Sequence, residues 1–184
     1  LVQRVDPEIR VTEPKNGAVI PQLRMILRGW LKAGHPDSLR IQGHELKTEL
    51  LEVTPAGQFT AGVAFPGEGR HELEVGVRDA AGRLSTPIKL EVMVDLTRPS
   101  LSLNEGSAVR VKMQTGNVAL ITSQSSLRLR GWVQDATPAT VTLDGVLLEL
   151  NAQNRFSVTL TPKDKPSNHK FVCRDMAGHE TVID

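Results

Sequence analysis

The chain has 184 residues, of which 39% are hydrophobic and 23% charged, and its formal net charge is +1. This length allows one large domain or two small ones, and the composition is that of a globular protein with enough apolar residues for a core. The small net charge and the scarcity of aromatic residues (two Trp, four Phe and no Tyr) argue against nucleic-acid binding, which needs basic charge and stacking residues.

A single cysteine, Cys173, excludes an intrachain disulfide and a cysteine-based zinc site. No run of residues approaches the roughly 18 consecutive apolar residues of a membrane span, so we expect no membrane insertion of this segment. The chain starts without Met or a signal peptide. We therefore expect it to be part of a longer polypeptide.

Four short sequence echoes recur in the same order along the chain. They are LRGW at 27–30 and 129–132, LRIQG at 39–43 with VTLDG at 141–145, GQFTAGV at 57–63 with NRFSVTL at 154–160, and RDAAG at 78–82 with RDMAG at 174–178. Four echoes in one order indicate an internal duplication of a unit of roughly 90 residues. We predict two domains, 1–95 and 96–184, with a short linker at 95–99.

The first unit is predicted to consist of short strands. Apolar residues occupy alternate positions in the runs 25–31, 73–77 and 88–94. ELKTELLEV at 45–53 comes closest to a helical stripe, but its Thr and Val residues and its counterpart in the second unit favour a strand. Turn residues such as Asn16-Gly17 separate the runs.

The second unit repeats the pattern in the runs 127–133 and 155–160. The counterpart of ELKTELLEV is VLLEL, in which Val146, Leu148 and Leu150 share one face. The stretch 104–124 is longer than its match at 13–22 and predicts an extra hairpin or a partner-facing loop. About seven short strands per unit, each with one buried face, are typical of an antiparallel β-sandwich.

The motif RDxAG follows a strand in both units. Asp79 and Asp175 begin the motif, and Gly82 and Gly178 precede the next strand. An Asp at the start of a tight turn can accept hydrogen bonds from backbone N–H groups two residues on, and glycine supplies the positive φ that closes the turn. We predict a hairpin between the last two strands of each unit, with a functional carboxylate as the alternative.

The first unit ends with V-R-D-x-A-G at 77–82, then a strand, then V-D-L-T-R-P at 94–99. This order resembles the tandem immunoglobulin-like repeats of bacterial surface and periplasmic proteins, in which the first motif closes the F–G hairpin and the second leads into the next domain. The resemblance implies an all-β fold of two tandem immunoglobulin-like antiparallel β-sandwiches. The chain lacks the cysteine pair and the tyrosine of antibody-type domains, which argues against a eukaryotic receptor.

Both tryptophans follow the same three residues. On a regular strand the aliphatic residues of this run face the core, while Trp30 and Trp132 lie outside, two residues after Arg28 and Arg130. An arginine over an indole face is a favourable pair of about 0.5–1 kcal/mol when exposed. We predict these four as candidate partner-binding residues. Two alternatives stay open: a bulge at the glycine of LRGW that turns the indole inward, or an outer indole covered by the first strand or a loop.

Sequence signatures of catalysis are absent: there is no G-x-S-x-G, H-E-x-x-H, P-loop or G-x-G-x-x-G. The five histidines are scattered, and we expect them at the surface or at loop ends. Cys173 takes the repeat position of Val77, which predicts a small core residue rather than a catalytic thiol. We predict no catalytic and no cofactor-binding residues.

A calcium ion at the domain junction is a further hypothesis. Its candidate ligands are Asp95, Glu13, Glu105, Asp79 and Asp175. A calcium cage uses about six to eight oxygens, whereas the linker offers one carboxylate beside an arginine. The sequence therefore predicts no metal-ligating residues.

These observations predict a non-catalytic segment of a bacterial cell-envelope or secreted protein, located outside the cytoplasm, that acts as a spacer and as a protein-interaction or adhesion module. The expected partner is a protein of the cell envelope. The alternative is a carbohydrate-binding accessory module of a wall- or polysaccharide-active protein, which requires Trp30 or Trp132 to be exposed for stacking on a sugar. A catalytic domain with a noncontiguous site is the third hypothesis.

Overall fold

The computed structural model describes residues 6–33, 38–112, 118–163 and 167–184. The chain divides into two compact units, Leu1–Leu96 and Thr97–Asp184, and each unit has its own cluster of buried hydrophobic residues. Within the described ranges, no helical segment has the length and hydropathy of a membrane span.

The first unit is a sandwich of two four-stranded sheets, with the strand orders β1-β3-β6-β5 and β2-β8-β7-β4. β2 pairs in parallel with β8, and the other described pairs of this unit are antiparallel. Lettered in chain order, the two sheets contain the ABED and CFG strands of a constant-type immunoglobulin domain. The strands are β1 (Glu8–Glu13), β2 (Ala18–Ile20), β3 (Arg24–Lys32), β4 (Arg40–Gln42), β5 (Lys47–Val53), β6 (Gln58–Ala64), β7 (Gly69–Gly76) and β8 (Ile88–Val94).

The second unit has a three-stranded sheet, β15-β12-β9, a four-stranded sheet, β14-β13-β16-β17, and a separate hairpin, β10-β11. The strands are β9 (Ser100–Asn104), β10 (Val109–Lys112), β11 (Val118–Ile121), β12 (Leu127–Gln134), β13 (Ala139–Leu143), β14 (Val146–Leu148), β15 (Arg155–Leu160), β16 (Phe171–Asp175) and β17 (Glu180–Ile183). The hairpin confirms the extra element predicted within 104–124, of which residues 113–117 lie outside the described residues. Both units are immunoglobulin-like β-sandwiches, as predicted.

Alternation along the strands decides which side chains enter each core. Buried and exposed residues alternate through all eight residues of β12, and through β3 the alternation is broken only by the half-buried Trp30. Side chains from both sheets of each unit meet in one cluster, and a fully buried Leu or Val stabilises the fold by about 1.5–3 kcal/mol. Val77 and Cys173, which occupy equivalent repeat positions, are both fully buried, which confirms the core role predicted for Cys173.

The glycine of LRGW is required by an aromatic ring on the neighbouring strand. Gly29 pairs with Phe59 across β3 and β6, and Gly131 pairs with Phe156 across β12 and β15. A Cβ at Gly29 would lie 2.6 Å from the Phe59 ring, and a Cβ at Gly131 would lie 2.3 Å from the Phe156 ring. Both rings are buried, so each fills the space that the glycine leaves. The repeated LRGW thus preserves one glycine–phenylalanine contact in each core.

The RDxAG motif forms the predicted turn in both units. Asp79 Oδ1 accepts hydrogen bonds from two backbone N–H groups at 3.0 and 2.8 Å, and Asp175 Oδ1 accepts one from His179 at 2.8 Å. Gly82 and Gly178 have φ values of 80° and 92°. The carboxylates therefore close the hairpins between the last two strands, as the structural interpretation of the motif predicts.

ELKTELLEV and VLLEL form strands, but they join opposite sheets. β5 pairs with β6, whereas β14 pairs with β13. Asp144 and Gly145, the two residues between β13 and β14, have φ values of 50° and 84°, the positive values of a two-residue hairpin that returns the chain to the strand it left. The four-residue connection at 43–46 lets β5 cross to the other sheet. Val146, predicted on the buried face, is 67% exposed because β14 is a short edge strand, and Leu150 lies beyond its end.

Candidate functional site

The LRGW strand pairs regularly with the strand that carries the buried phenylalanine in both units, and the one irregularity opposite Gly29 lies on β1, between Val11 and Glu13. β3 pairs residue by residue with β6 over 24–30, and β12 pairs in the same way with β15 over 127–132. The bulge that would turn the indoles inward is therefore not formed. Trp30 and Trp132 lie on the outer faces of their sheets, opposite the cores.

The two indoles differ in how far their neighbours cover them. Trp132 is 45% exposed, whereas Trp30 is half-buried. In register, Trp30 has two long side chains beside it, Arg10 and Gln58, while one neighbour of Trp132 is the short Ser102. Trp30 is thus the covered outer indole of the second alternative, and Trp132 is an exposed outer indole.

Ion pairs between strands join three basic side chains of the outer face around Trp30 to acids, while Arg10, in register with Trp30, is in none of the ion pairs among the described residues. Arg28 Nη1 lies 2.8 Å from Glu13 Oε2, across β3 and β1. Because these side chains are more than half exposed, the pair stabilises the unit by only about 0–1 kcal/mol. Its main effect is to neutralise the arginine. Lys32–Glu8 at 3.9 Å joins the same two strands, and Arg24–Glu49 at 3.0 Å joins β3 to β5.

The predicted stacking of Arg28 on Trp30 is not formed, because the Glu13 carboxylate offers the guanidinium a full opposite charge. In the described part of the second unit, no ring or charge contact joins Arg130 to Trp132 either. Each arginine stands two residues from its tryptophan on the same face, as the alternation predicts.

The equivalent face of the second unit lacks these acids. Arg130 has Asn104 in register, at the place where Arg28 has Glu13. At the other end of the strand pair, the first unit pairs Lys32 with Glu8. The second unit has Gln134 and Ser100 at these two positions. Neutral residues on β9 have therefore replaced both acids that β1 presents to β3.

The same face has two arginines where the first unit has uncharged residues, and it has Ser102 where the first unit has Arg10. Arg155 lies in register with Trp132, where the first unit has Gln58, and Arg128 takes the position of Ile26. Arg128 Nε donates a hydrogen bond to Ser157 Oγ at 2.9 Å. Across the described ranges, neither Arg130 nor Arg155 has an ion-pair partner. The exposed tryptophan of the second unit thus stands among arginines whose charge is not neutralised by the sheet.

A cavity of about 620 Å³ lies beside Trp132. A second cavity, of about 290 Å³, shares Asn104 and Arg130 with the first and is also lined by Arg128. We call the first cavity the Trp132 groove. Its polar and aromatic lining consists of Asn104, Arg130, Trp132, Glu149, Asn151, Arg155, Phe156 and Ser157.

Sequence reasoning named Arg130 and Trp132 but missed the residues that surround them. Arg155 precedes the buried Phe156, so the alternation along the strand predicts that its side chain points outward. The sequence signal that could have singled it out is that the first unit has Gln58 at the equivalent position. Asn104 and Asn151 come from strand β9 and from the turn before β15, and only the pairing of both strands with β12 brings them to the groove.

A separate polar cluster links Ser167, His169 and Asp144. Ser167 Oγ lies 3.2 Å from His169 Nε2, and His169 Nδ1 lies 2.7 Å from Asp144 Oδ2, which is the connectivity of a nucleophilic triad. The backbone N–H of Lys170 and the His169 ring donate to Asp144 and hold the pKa of this carboxyl below its ordinary value. Neither cavity described above is lined by these residues. We interpret the cluster as a tie between the β13–β14 turn and the segment before β16.

The Cys173 thiol is unsuited to nucleophilic chemistry near neutral pH. Burial, with smaller contributions from the Asp135 and Asp175 carboxylates, raises the pKa of Cys173 to about 11. Since the thiolate is the reactive form, a thiol with this pKa is almost wholly protonated at pH 7.

Four of the carboxylates considered as calcium ligands bind basic side chains of their own units. Such pairing leaves fewer free oxygens for a calcium cage. The pairs are Glu13–Arg28, Glu105–Arg110, Asp79–Arg83 and Asp175–His179.

No family model matches the chain, and no curated protein matches it. Among solved structures, the fibronectin(III)-like modules of Clostridium thermocellum CbhA are 13% identical, with a TM-score of 0.45 over 95% of this chain and 90% of that one. The D00–D0 domain of intimin is 11% identical, with a TM-score of 0.40 over 96% of this chain and 100% of that one.

A third similar structure is the sialic acid binding region of a Streptococcus sanguinis SK1 adhesin, which is 12% identical with a TM-score of 0.34 over 97% of this chain and 76% of that one. Likenesses at these identities and TM-scores carry no argument about a ligand. The fold class rests on the strand order of the two units.

Proposed function

We propose that this chain is a non-catalytic tandem immunoglobulin-like segment of a bacterial cell-envelope or secreted protein, with domains 1–95 and 96–184. The first domain acts as a spacer, and the second carries an interaction face for a partner outside the cytoplasm. The resemblance of the motifs at 77–82 and 94–99 to bacterial surface repeats supports the location, and the proposal assigns no cofactor and no nucleic-acid partner.

The divergence of two equivalent faces supports this proposal most strongly. The strand LRGW was duplicated, so both units began with an arginine and a tryptophan on the outer face. In the first unit Arg28 is paired with Glu13 and Trp30 is half-buried, whereas in the second unit Trp132 is exposed beside Arg130, which has Asn104 in register. Folding alone gives no reason for the two faces to differ in these acids, while binding of a partner to one of them does.

The experiment compares matched variants of the two faces. Labelled chain is applied to immobilised envelope fractions of Gram-negative and Gram-positive bacteria, and bound label is measured for Trp132→Ala and Arg130→Ala. The controls are Trp30→Ala and Arg28→Ala at the equivalent positions of the first unit. We expect the second-unit variants to lose binding by about tenfold or more, as hot-spot aromatic and arginine residues do, and the controls to retain it. Equal loss in both sets, or no binding that depends on Trp132, contradicts the proposal.

The cavity beside Trp132 favours a second candidate function, carbohydrate binding. Protein-interaction faces are often flat, whereas small ligands bind in concave sites of about 300–1,000 Å³, and the Trp132 groove of about 620 Å³ falls in that range. Treating the envelope fractions with proteinase or with periodate separates the two candidates. Loss of binding only after proteinase indicates a protein partner, and loss only after periodate indicates a glycan.

A further inference from the structure

We infer that the Trp132 groove binds an acidic glycan, in which a sugar ring lies on the indole and a carboxylate of the sugar pairs with Arg130 and Arg155. This inference rests on the proposed function and names the ligand class of the same face. It depends on three properties of the groove: an exposed aromatic surface, two arginines without an ion-pair partner among the described residues, and a mixture of hydrogen-bond donors and acceptors.

The exposed indole provides the apolar surface. Trp132 is 45% exposed and lines the groove, so part of its ring faces solvent in the unbound protein. A pyranose has a flat face of C–H groups that removes this indole surface from water without leaving a polar group unsatisfied. Trp30 is half-buried, and the two cavities described both lie on the second unit. The first unit therefore serves as the internal control.

The arginines provide the charge selectivity. Arg130 and Arg155 both line the groove, and among the described residues neither has an ion-pair partner. A guanidinium binds a carboxylate through two parallel N–H···O bonds, which favours this anion in both charge and geometry. Arg128 lines the adjoining cavity of about 290 Å³, so positive charge continues along the face for a ligand longer than one sugar.

The remaining polar groups fit sugar hydroxyls rather than a simple inorganic anion. Glu149 in the groove lining accepts hydrogen bonds from hydroxyl groups, of which a sugar has several and sulfate has none. Asn151 Oδ1 already accepts backbone N–H groups of Gln153 at 3.0 Å and of Arg155 at 2.9 Å, which positions its amide nitrogen as a donor. Asn104 Oδ1 is likewise engaged, by the backbone N–H of Gly106 at 3.0 Å. Hydroxyls that donate and accept match this mixture.

The test uses acidic oligosaccharides and their uncharged forms. Hexamers of galacturonate, alginate, hyaluronan and polysialic acid are titrated into the full chain by calorimetry, each beside its methyl ester, which keeps the sugar backbone and removes the charge. We expect at least one acid form to bind, its ester to bind about tenfold more weakly, and the affinity to fall as the salt concentration rises. Equal affinity for acid and ester, or binding of none of the acid forms, overturns the inference.

Variants locate the site. Asn104→Glu introduces beside Arg130 the acid that Arg28 has in the first unit, and we expect it to weaken binding of the acid form about tenfold or more. Asn104→Gln has the length of the glutamate without its charge and also loses the hydrogen bond to Gly106, so we expect it to weaken binding much less than Asn104→Glu does. If Asn104→Glu binds unchanged, or if Asn104→Gln loses binding equally, the inference fails.

The two proposals fail in different ways. One outcome is binding to envelope fractions that depends on Trp132, resists periodate and is lost after proteinase. This outcome supports the interaction face and overturns the acidic glycan as its ligand. Absence of any binding that depends on Trp132, to envelope fractions and to oligosaccharides alike, overturns both.

Discussion

Substitution of the glycine in LRGW tests the contact that explains the repeated motif. In Gly131→Ala, the added Cβ would lie 2.3 and 2.5 Å from two ring atoms of Phe156 and 3.0 Å from the Ser102 carbonyl oxygen. Ordinary contacts of a Cβ begin near 3.4 Å, so the ring has to move by about 1 Å. Phe156 is 5% exposed and its ring centroid lies 6.0 Å from that of Phe171, which leaves it little room.

Two effects of opposite sign determine how far Gly131→Ala changes the free energy of unfolding. Overpacking of a core costs about 1–3 kcal/mol. Loss of glycine freedom in the unfolded chain returns about 0.4–1 kcal/mol, since the φ of Gly131 lies outside the left-handed region and alanine can adopt it. The clash exceeds the entropy gain, so we expect Gly131→Ala to destabilise the second unit by about 1–2 kcal/mol.

The single cysteine provides an assay specific to the second unit. Cys173 is buried in its core, so pulsed thiol labelling at increasing urea reports unfolding of this unit alone. A double-mutant cycle with Phe156→Leu, which shortens the clashing ring, should recover about 1 kcal/mol. A change below about 0.5 kcal/mol for Gly131→Ala, or strict additivity in the cycle, would refute the packing argument.

Three further predictions use the two tryptophans and two titratable groups. With a pKa of about 11, Cys173 should react with iodoacetamide at pH 8 far more slowly in the folded chain than in urea, and equal rates would contradict its burial. Partial burial raises the pKa of Asp79, but the stronger combined effect of hydrogen bonds and charge from Arg83 lowers it, so its contribution to stability is present above about pH 4 and is lost as the pH falls further. In urea titrations at acid pH, Asp79→Asn should lose less stability than the unsubstituted chain as the pH falls. A pH profile of stability that is unchanged by Asp79→Asn would contradict this prediction. Acrylamide should quench Trp132 in Trp30→Phe more strongly than Trp30 in Trp132→Phe, and the reverse order would overturn their assigned exposures.

Local patterns predicted much of the fold. The four echoes indicated the duplication, and alternation placed the aliphatic residues of β3 and β12 inside and both tryptophans outside. The RDxAG turn was predictable because its hydrogen bonds join residues within four positions of Asp79 and Asp175. Each of these features depends on neighbours along the chain, which a single sequence contains.

Partners across strands were not predictable in the same way. Alignment alone made VLLEL the counterpart of ELKTELLEV, but the two-residue turn at Asp144-Gly145 placed β14 in the other sheet. The stacking expected for Arg28 gave way to Glu13, which lies on a different strand 15 residues earlier. A side chain's charge partner is set by register, and register depends on non-local pairing.

The sequence by itself therefore determined that this protein consists of two similar β units with an arginine and a tryptophan on one outer face of each, since period-two alternation and repetition are properties of the chain. Only the tertiary structure decided that the two faces differ in chemistry. Strand pairing brings Glu13 to Arg28 in one unit, and Asn104 and Arg155 to the strand of Arg130 and Trp132 in the other. Whether an arginine is neutralised or available depends on distances of a few ångströms between residues far apart in the chain, and the fold alone sets those distances.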